Sequence, residues 1–295
     1  MPAPTPVTRL ASVLLADNPG PMTLDGTRSY VLRAPGAPGC VVVDPGPDDD
    51  AHLDALAAAG PVELVLVTHR HADHTAGSAR LRALTGAPVR GVDPAHCHGG
   101  VPLADGETIE AAGLRIDVLA TPGHTADSVC FVLPDDGPVA TDHDADHHDA
   151  IHHEADHHEA DHHGTGHGSS AGTVLTGDTV LGQGTTVIAA PDGSLGRYLA
   201  SLDRLDALVA GRRTTGLPGH GPVVEDLDER LRAYREHRLD RLAQVRGTLG
   251  ALGLAPDDDS AVERVTALVY ADVDPSVLAA ARQSVAAQLA FLRER

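Results

Sequence analysis

A dense group of potential metal ligands, placed directly after a short apolar run, constrains this chain more than any other feature. Residues 62–67 have the sequence VELVLV, and their β-branched, apolar character predicts a buried strand. A helical pattern begins a few residues later, so the intervening turn joins a strand to a helix. This turn contains, in a stretch of six residues, four side chains of the types that bind metals in proteins: His69, His71, Asp73 and His74. Imidazole and carboxylate without thiolate are typical of a catalytic metal site with an open coordination position.

The spacing of these ligands divides them into two pairs. At a strand-to-helix turn His69 and His71 can point in the same direction, whereas Asp73 and His74 follow the start of the helix. The sequence therefore predicts two neighbouring metals rather than one.

Three further candidate ligands follow, each at the end of a predicted strand. His124 lies in Thr-Pro-Gly-His-Thr, Asp178 in Leu-Thr-Gly-Asp and His220 in Pro-Gly-His-Gly. Each of them alone is also compatible with an ordinary turn residue. Together and in this order, the motifs HxHxDH, PGHT, TGD and PGHG resemble the motif set of the metallo-β-lactamase-fold hydrolases, over about residues 18–222.

This resemblance implies an α/β fold, the αββα four-layer sandwich, in which helices flank two central sheets and the metals lie at one end of the sheets. It implies two Zn²⁺ per chain, with Mn²⁺ or Fe²⁺ as alternatives. The first ion would be held by His69, His71 and His124. The second would be held by Asp73, His74 and His220, and Asp178 would bridge the two ions. Asp44, which ends the predicted strand 40–44, matches the acid that orients a ligand in this family.

The implied chemistry is hydrolysis by a metal-bridging hydroxide. Two zinc ions lower the pKa of bound water, which makes it a nucleophile at neutral pH, and they stabilise the charge that develops on the substrate. Asp73 would orient the hydroxide, so Asp73 and Asp178 are the predicted catalytic residues. The net positive charge at the metals lets an anionic substrate bind locally to an acidic protein.

Segments outside the ligand motifs resemble the lactamase-beta-2-like branch of the superfamily. Residues 18–30 resemble its N-terminal signature, although Arg28 stands where the branch usually has Asn, and Arg28 could contact an anion. The C-terminal segments resemble three helices of its winged-helix domain. The sequence ends at Arg295, where a wing hairpin would follow, so we expect a short or missing wing. The alternative is a plain helical packing domain beside the active-site edge. The resembling segments are 237–242, 265–273 and 281–289.

Hydrophobic periodicity predicts two domains, a hydrolase domain over 1–222 and a helical, winged-helix-like domain over 223–295. In the first domain, β-branched runs predict strands at 40–44, 62–67, 114–119, 128–133 and 173–176. A further predicted strand ends near residue 139. Helical patterns in the same domain cover 50–59, 73–84 and 195–209. In the second domain, apolar residues three or four apart predict helices at 225–249, 260–270 and 275–293.

Residues 141–168 interrupt the first domain with a tract rich in histidine and acids. It contains ten of the 19 histidines, and its histidine pairs recur every five residues, a period that keeps them on one face of neither a helix nor a strand. Because it has almost nothing apolar to bury, we interpret it as a disordered or loosely helical insertion. The sequence leaves open whether it is a neutral repeat expansion, a zinc buffer for the nearby site or a pH sensor.

Composition limits the partners. A net charge of −20 and 2% aromatic residues argue against a basic field and against base-stacking platforms, so we expect no DNA partner. Cys40, Cys97 and Cys130 are widely spaced without a CxxC pair, which favours a reducing compartment, and we interpret His-Cys-His at 96–98 as a surface turn. No window is apolar for long enough to form a signal or a membrane span, so we expect a cytoplasmic protein without a membrane partner.

The sequence thus predicts a dinuclear-zinc hydrolase. Its substrate is either a phosphodiester in single-stranded RNA, as the lactamase-beta-2-like branch implies, or an acyl thioester or ester, as the wider superfamily implies. The alternative from a different class is a zinc-storage or metallochaperone protein that acts through the tract 141–168. The oligomeric state and the choice between a small-molecule and an RNA substrate stay open at this point.

Overall fold

The structure is a computed structural model that describes residues 3–139 and 172–294. Within these residues, eleven strands form two sheets, and α-helices cover the outer face of each sheet. This arrangement confirms the predicted α/β sandwich of four layers. The predicted insertion at 141–168 lies outside the described residues.

The first sheet contains six strands that pair in chain order. They are β1 (Thr5–Pro6), β2 (Ala11–Leu15), β3 (Arg28–Leu32), β4 (Cys40–Val43), β5 (Val62–Leu66) and β6 (Val89–Arg90). Strands β4, β5 and β6 pair in parallel, and the first three pair antiparallel. The outer face of this sheet packs on the helices α1 (Asp50–Ala58) and α3 (Ser78–Thr85).

The second sheet contains five strands in the order β11-β10-β9-β8-β7. They are β7 (Thr108–Ala111), β8 (Leu114–Ala120), β9 (Val129–Leu133), β10 (Thr173–Gly177) and β11 (Thr215–Pro218). Only the pair β10 and β11 is parallel among the described strands of this sheet. Helix α4 (Leu195–Val209) packs on the outer face of this sheet. Ser194 caps its N-terminus, and the Ser194 side chain accepts a hydrogen bond from the Arg197 amide.

Alternation of side chains along the strands separates the layers. In β9, Phe131 and its alternate neighbours face the first sheet, whereas Cys130 and Val132 face α4. In β4, Val41 and Val43 likewise face the second sheet. Strands β4 and β9 therefore each contribute to two cores, and their continuous apolar sequences are explained by burial on both faces.

The predicted single helix over 73–84 is wrong, because the structure has two helices there. Helix α2 (Ala72–Thr75) is separated from α3 at Gly77. The amide of Gly77 donates to the carbonyl of Gly46 at 3.0 Å instead of continuing the α2 ladder. A Cβ at Gly77 would lie 2.6 Å from Leu53 Cδ2, so only glycine allows this close approach. The predicted strand end near 139 is also wrong, since β9 ends at Leu133.

Three helices follow the second sheet, as predicted. They are α5 (Leu227–Leu252), α6 (Ala261–Val269) and α7 (Leu278–Arg293), and α7 is preceded by a short 3₁₀ turn. They share a small core, and α5 and α7 also pack against α4. The domain boundary at 222/223 stays a prediction. None of the helices in the described part of the chain combines the length and the apolar character needed to cross a bilayer.

Candidate metal centre

The carboxyl ends of the parallel strands bring the predicted ligands to one edge of the sandwich. Asp44 follows β4 and His69 follows β5, which is parallel to β4. Asp178 follows β10 and His220 follows its parallel neighbour β11. His124 follows β8 across the turn that leads to β9. Because parallel strands end at a common edge, residues far apart in sequence meet there.

The seven predicted ligands form two groups. Within each group, one potential ligand atom per residue lies within 4.8 Å of all the others. The first group is His69, His71, His124 and Asp178, and the second is Asp73, His74 and His220. The structure therefore separates His69 and His71 from Asp73 and His74 as the spacing predicts.

The first group combines two histidines that follow β5 of the first sheet with residues that follow β8 and β10 of the second sheet. His71 Nδ1 lies 3.0 Å from His69 Nε2 and 3.1 Å from His124 Nε2. Asp178 Oδ2 lies 3.9 Å from His69 Nε2 and 3.7 Å from His124 Nε2. His69, His124 and Asp178 are buried, whereas His71 is exposed, so the group is open to solvent on the His71 side.

The second group has similar spacing but more carboxylate. Asp73 Oδ2 lies 3.1 Å from His220 Nε2 and 3.3 Å from His74 Nε2, and the two Nε2 atoms are 3.3 Å apart. Asp178 extends into this group as well, with Oδ1 3.5 Å from His74 Nε2 and Oδ2 3.4 Å from His220 Nε2. One carboxylate thus borders both groups.

Hydrogen bonds on the far side of the rings fix the histidine tautomers in the first group. His124 Nδ1 lies 2.7 Å from the Val187 carbonyl, which only accepts, so this nitrogen carries the proton. Thr68 Oγ1 donates to Asp44, so it accepts from His69 Nδ1, 3.1 Å away. In both rings the Nε2 lone pair is left facing the group.

The second group is oriented in the same way, with a carboxylate behind it. Asp44 Oδ2 accepts from His74 Nδ1 at 2.8 Å, and the Gly26 carbonyl accepts from His220 Nδ1 at 3.1 Å. Asp44 also accepts from the amide and the hydroxyl of Thr68 at 2.7 Å each. It does so with φ at +53°, a conformation that is unfavourable for aspartate and is held by these hydrogen bonds.

Burial and neighbouring charges have opposing effects on the pKa values of the residues in the two groups. Burial opposes ionisation of Asp178, but the surrounding histidines, His74 foremost, hold the pKa of its carboxyl below the usual range. Burial lowers the pKa of His69 and of His124. Burial also disfavours a charged His220, yet Asp178 and Asp73 outweigh it and raise the pKa of His220 to about 10. The second group therefore favours a positive charge, whether a proton or a metal ion.

The donor set fits divalent metal ions. Four ligands at 2.0–2.1 Å from a tetrahedral zinc ion lie about 3.3 Å from one another, and the separations of 3.0–3.9 Å in the first group bracket that value. Facing lone pairs on His74 and His220 repel one another unless a cation lies between them. Asp178 Oδ1 is buried without a hydrogen-bond partner among the described residues, which is the position expected of a metal ligand.

Besides the Thr68 hydroxyl, two further supporting hydroxyl groups were not predicted from the sequence. Thr27, fully buried, donates from Oγ1 to Asp73 Oδ2 at 3.2 Å, and Asn18 holds Thr27 by two hydrogen bonds. Thr186 Oγ1 lies 3.0 Å from His124 Nδ1. The only sequence signal was that Asn18 and Thr27 fall in the segment that resembles the lactamase-beta-2-like signature.

Two other candidates have partners elsewhere in the chain. Arg28 donates to Asp25 Oδ2 at 2.6 Å and to the Gly221 carbonyl, so its guanidinium is engaged beside the centre. Cys97 donates from Sγ to the Gly91 carbonyl at 3.4 Å, just after a 3₁₀ turn, and belongs to neither ligand group. The interpretation of 96–98 as a turn is consistent with this geometry.

Comparison with known proteins identifies the family. The sequence profile of the metallo-beta-lactamase superfamily matches residues 22–220, more than half of the chain. The chain therefore belongs to the metallo-β-lactamase superfamily and is a metal-dependent hydrolase. A beta-lactamase domain protein from Burkholderia ambifaria has the same fold, with a TM-score of 0.71 and 18% identity over 99% of this chain and 88% of that one.

Curated relatives support the same assignment. The beta-lactamase-like protein 2 homolog of Caenorhabditis elegans is 27% identical over 95% of this chain and 84% of its own length. The lactamase-like protein vrtG of Penicillium aethiopicum is 28% identical over 87% of this chain and 71% of its own length. The atrochrysone carboxyl ACP thioesterase of Aspergillus fumigatus is 28% identical over 79% of this chain and 62% of its own length. The chain thus spans about two thirds of the length of these two fungal relatives.

Proposed function

We propose that this chain is a dinuclear-zinc hydrolase that cleaves an acyl thioester or ester. The observation that carries the proposal is the position of the Asp178 carboxylate, which lies within 3.9 Å of two histidines of each ligand group. A bridging carboxylate supports two ions held side by side. Five imidazoles, two carboxylates and no thiolate suit zinc, with Mn²⁺ or Fe²⁺ as the alternatives.

The residues of the centre divide the work of hydrolysis. When bound, the two ions supply a nucleophile at neutral pH by lowering the pKa of water, and they polarise the substrate carbonyl. Asp73, with a side chain 27% exposed against 10% for Asp178, is the more accessible carboxylate and orients the attacking water. The Thr27 hydroxyl holds Asp73 in place. His71 is exposed, so the substrate approaches from its side.

Three observations favour a thioester over RNA. One relative is named as a thioesterase and aligns with 79% of this chain. The net charge of −20 repels a polyanion, and aromatic residues for base stacking make up only 2% of the sequence. A thiol leaving group, with a pKa near 8.5, also departs without a strong general acid. The free cysteines at 40, 97 and 130 support a reducing, cytoplasmic location for such an enzyme.

A hydrolysis panel tests the substrate class. Zinc-loaded protein is given an acyl thioester, an oxygen ester, a lactone and a single-stranded RNA oligomer, with Asp178→Ala as the inactive control. We expect the thioester to have the largest kcat/KM. Cleavage of RNA alone would reject the thioester proposal and support the other predicted substrate.

The alternative function, zinc storage or delivery, depends on the tract 141–168, which lies outside the described residues. Its ten histidines favour additional metal binding. Bound zinc is counted in the full chain and in a chain that lacks 142–168. Storage as the main function predicts that most of the bound zinc is lost with the tract, whereas the enzyme proposal predicts that two tight equivalents and full turnover remain.

A further inference from the structure

A positively lined cavity lies beside the metal centre. It has a volume of about 220 Å³ and is bounded by α5, α7 and the segment 185–187. His237, Arg238 and Arg241 of α5 line it together with Tyr270, and none of its described lining residues has a carboxylate. This is unusual in a chain with 42 acidic and 22 basic residues. The volume is enough for several waters or one small anionic group.

Arg238 is a buried cation without an anionic partner among residues 3–139 and 172–294. It is only 8% exposed, and within the described residues no carboxylate forms an ion pair with it. Its guanidinium donates to the Thr186 carbonyl and lies 5.2 Å from the centre of the Tyr198 ring, while its Nε is buried with no hydrogen-bond partner in the described part of the chain. An uncompensated buried charge is unfavourable, so this position favours a bound anion.

Arg241 places a second cation on the same wall. It lies three residues after Arg238, a spacing that puts both side chains on one helix face. Arg241 Cζ lies 4.7 Å from the Tyr270 ring centre, and Nη1 donates to Gln244 Oε1 at 2.9 Å. Burial together with these two arginines lowers the pKa of His237. The wall therefore carries a field that attracts anions.

The cavity and the metal centre share one segment of backbone. Thr186 and Val187 line the cavity, and both also contact His124 Nδ1, at 3.0 Å from Thr186 Oγ1 and 2.7 Å from the Val187 carbonyl. A group in the cavity is thus separated from a predicted metal ligand by a single chain segment. The cavity and the first ligand group are therefore neighbours on either side of residues 186–187.

We propose that this cavity binds a carboxylate or phosphate group, the anionic end of a substrate whose acyl bond lies at the metal centre. The substrate part of the inference rests on the proposed thioesterase function. The same chemistry could be supplied by a free anion, so the experiment separates the two sources.

Binding is tested first, without turnover. Inorganic phosphate and succinate are titrated into the metal-loaded full chain by calorimetry, using the wild type, Arg241→Gln, Arg238→Gln and the control Arg246→Gln. Arg246 is an exposed residue of α5 outside the cavity. We expect Arg241→Gln to weaken binding by about tenfold, the loss expected when one charge-assisted contact is removed, and Arg246→Gln to leave it unchanged. If Arg238→Gln fails to fold, Arg241→Gln still decides the question.

Turnover then identifies the source of the anion. A succinyl thioester is compared with its neutral methyl ester, which differs by one negative charge. If the anion belongs to the substrate, wild type and Arg246→Gln prefer the charged thioester in kcat/KM by about tenfold, and Arg241→Gln loses that preference with little change on the neutral one. If it is a free anion, phosphate changes the rate on the neutral thioester and there is no charge preference.

Two results overturn different claims. Phosphate and succinate binding that is unaffected by Arg241→Gln and by Arg238→Gln would reject the cavity as an anion site. A second result would be loss of anion binding in these variants together with no hydrolysis of either thioester by the wild type or by any variant. This result would retain the anion site but reject the thioesterase function and the substrate assignment.

Discussion

The two ligand groups use the same kinds of side chain but differ in what stands behind them. In the first group, His69 and His124 are oriented by neutral acceptors, a hydroxyl and a carbonyl. In the second group, His74 is oriented by the Asp44 carboxylate, and Asp73 adds another negative charge. Neutral support positions a lone pair, whereas a carboxylate behind the ring also increases its basicity.

This difference appears in the proton affinities. Burial dominates in the first group and lowers the pKa of His69 and His124, so these rings are free of protons at neutral pH. In the second group the carboxylates overcome burial and raise the pKa of His74 and His220. Protons and metal ions therefore compete for the second group. The difference between the two groups can be tested first by changing a residue that both groups share, and then by changing residues that belong to one group.

The largest effect is expected for Asp178→Ala, which removes the residue common to both groups. Both tight metal equivalents should be lost, and turnover should fall by more than about a hundredfold, because even outer residues of metal sites are worth about 10–100-fold. Metal analysis of the purified variant decides the outcome, with the surface variant Asp228→Ala as control. Two retained equivalents with normal turnover would contradict the bridging position.

Asp44→Asn should act mainly on the second group. The amide cannot accept simultaneously from His74 and Thr68 as the carboxylate does, so we expect the equivalent in the second group, which Asp44 contacts directly through His74, to weaken by about 10–100-fold. The equivalent in the first group, which Asp44 reaches only through Thr68 and His69, should weaken less. Competition with a chelator of known affinity measures both equivalents. Equal weakening of the two would show that the groups are not supported independently.

The pH dependence of metal binding should also differ between the groups. Because the pKa of His220 is raised to about 10, binding to the second group must displace a proton at every pH below that value, and its apparent affinity falls by about tenfold per pH unit for each proton displaced. In the first group, burial lowers the pKa of His69 and of His124, so neither ring has a proton to lose to the metal near neutral pH. Calorimetry in buffers of different ionisation enthalpy counts the protons released. Equal proton release by the two equivalents would be the opposite result.

The ligands themselves were predictable because the motifs HxHxDH, PGHT, TGD and PGHG, in this order, resemble those of the metallo-β-lactamase-fold hydrolases. His69, His124, Asp178 and His220 follow β5, β8, β10 and β11, and the chain direction alone carries them to a common edge. The supporting acid Asp44 was predictable in the same way, but the supporting residues Thr27 and Thr186 were not. Thr27 reaches Asp73 across 46 positions and Thr186 reaches His124 across 62, and no local pattern encodes either contact.

Elements with little local signal were missed for a related reason. Strands β1 and β6 have two residues each, too short for an alternating pattern to be recognised. The break between α2 and α3 depends on the Gly46 carbonyl, which accepts from Gly77 over a distance of 31 positions in sequence. Where a tertiary hydrogen bond replaces a helical one, the sequence pattern still predicts a continuous helix.

The smallest effects are expected when one supporting hydroxyl is removed from each group. Thr27→Val and Thr186→Val replace a hydroxyl by a methyl group of similar size. Thr27 donates to a carboxylate, and such hydrogen bonds are worth about 1.5–3 kcal/mol, so turnover should fall by about ten- to a hundredfold. Thr186 Oγ1 lies beside the N–H of His124, which also donates a hydrogen bond to the Val187 carbonyl. Loss of the Thr186 hydroxyl should therefore cost less than about 1.5 kcal/mol, roughly tenfold in turnover at most. Both variants are compared in kcat and in metal content at matched zinc. A larger loss from Thr186→Val than from Thr27→Val would reverse the comparison, because it would mean that the neutral support behind His124 matters more than the charged contact at Asp73.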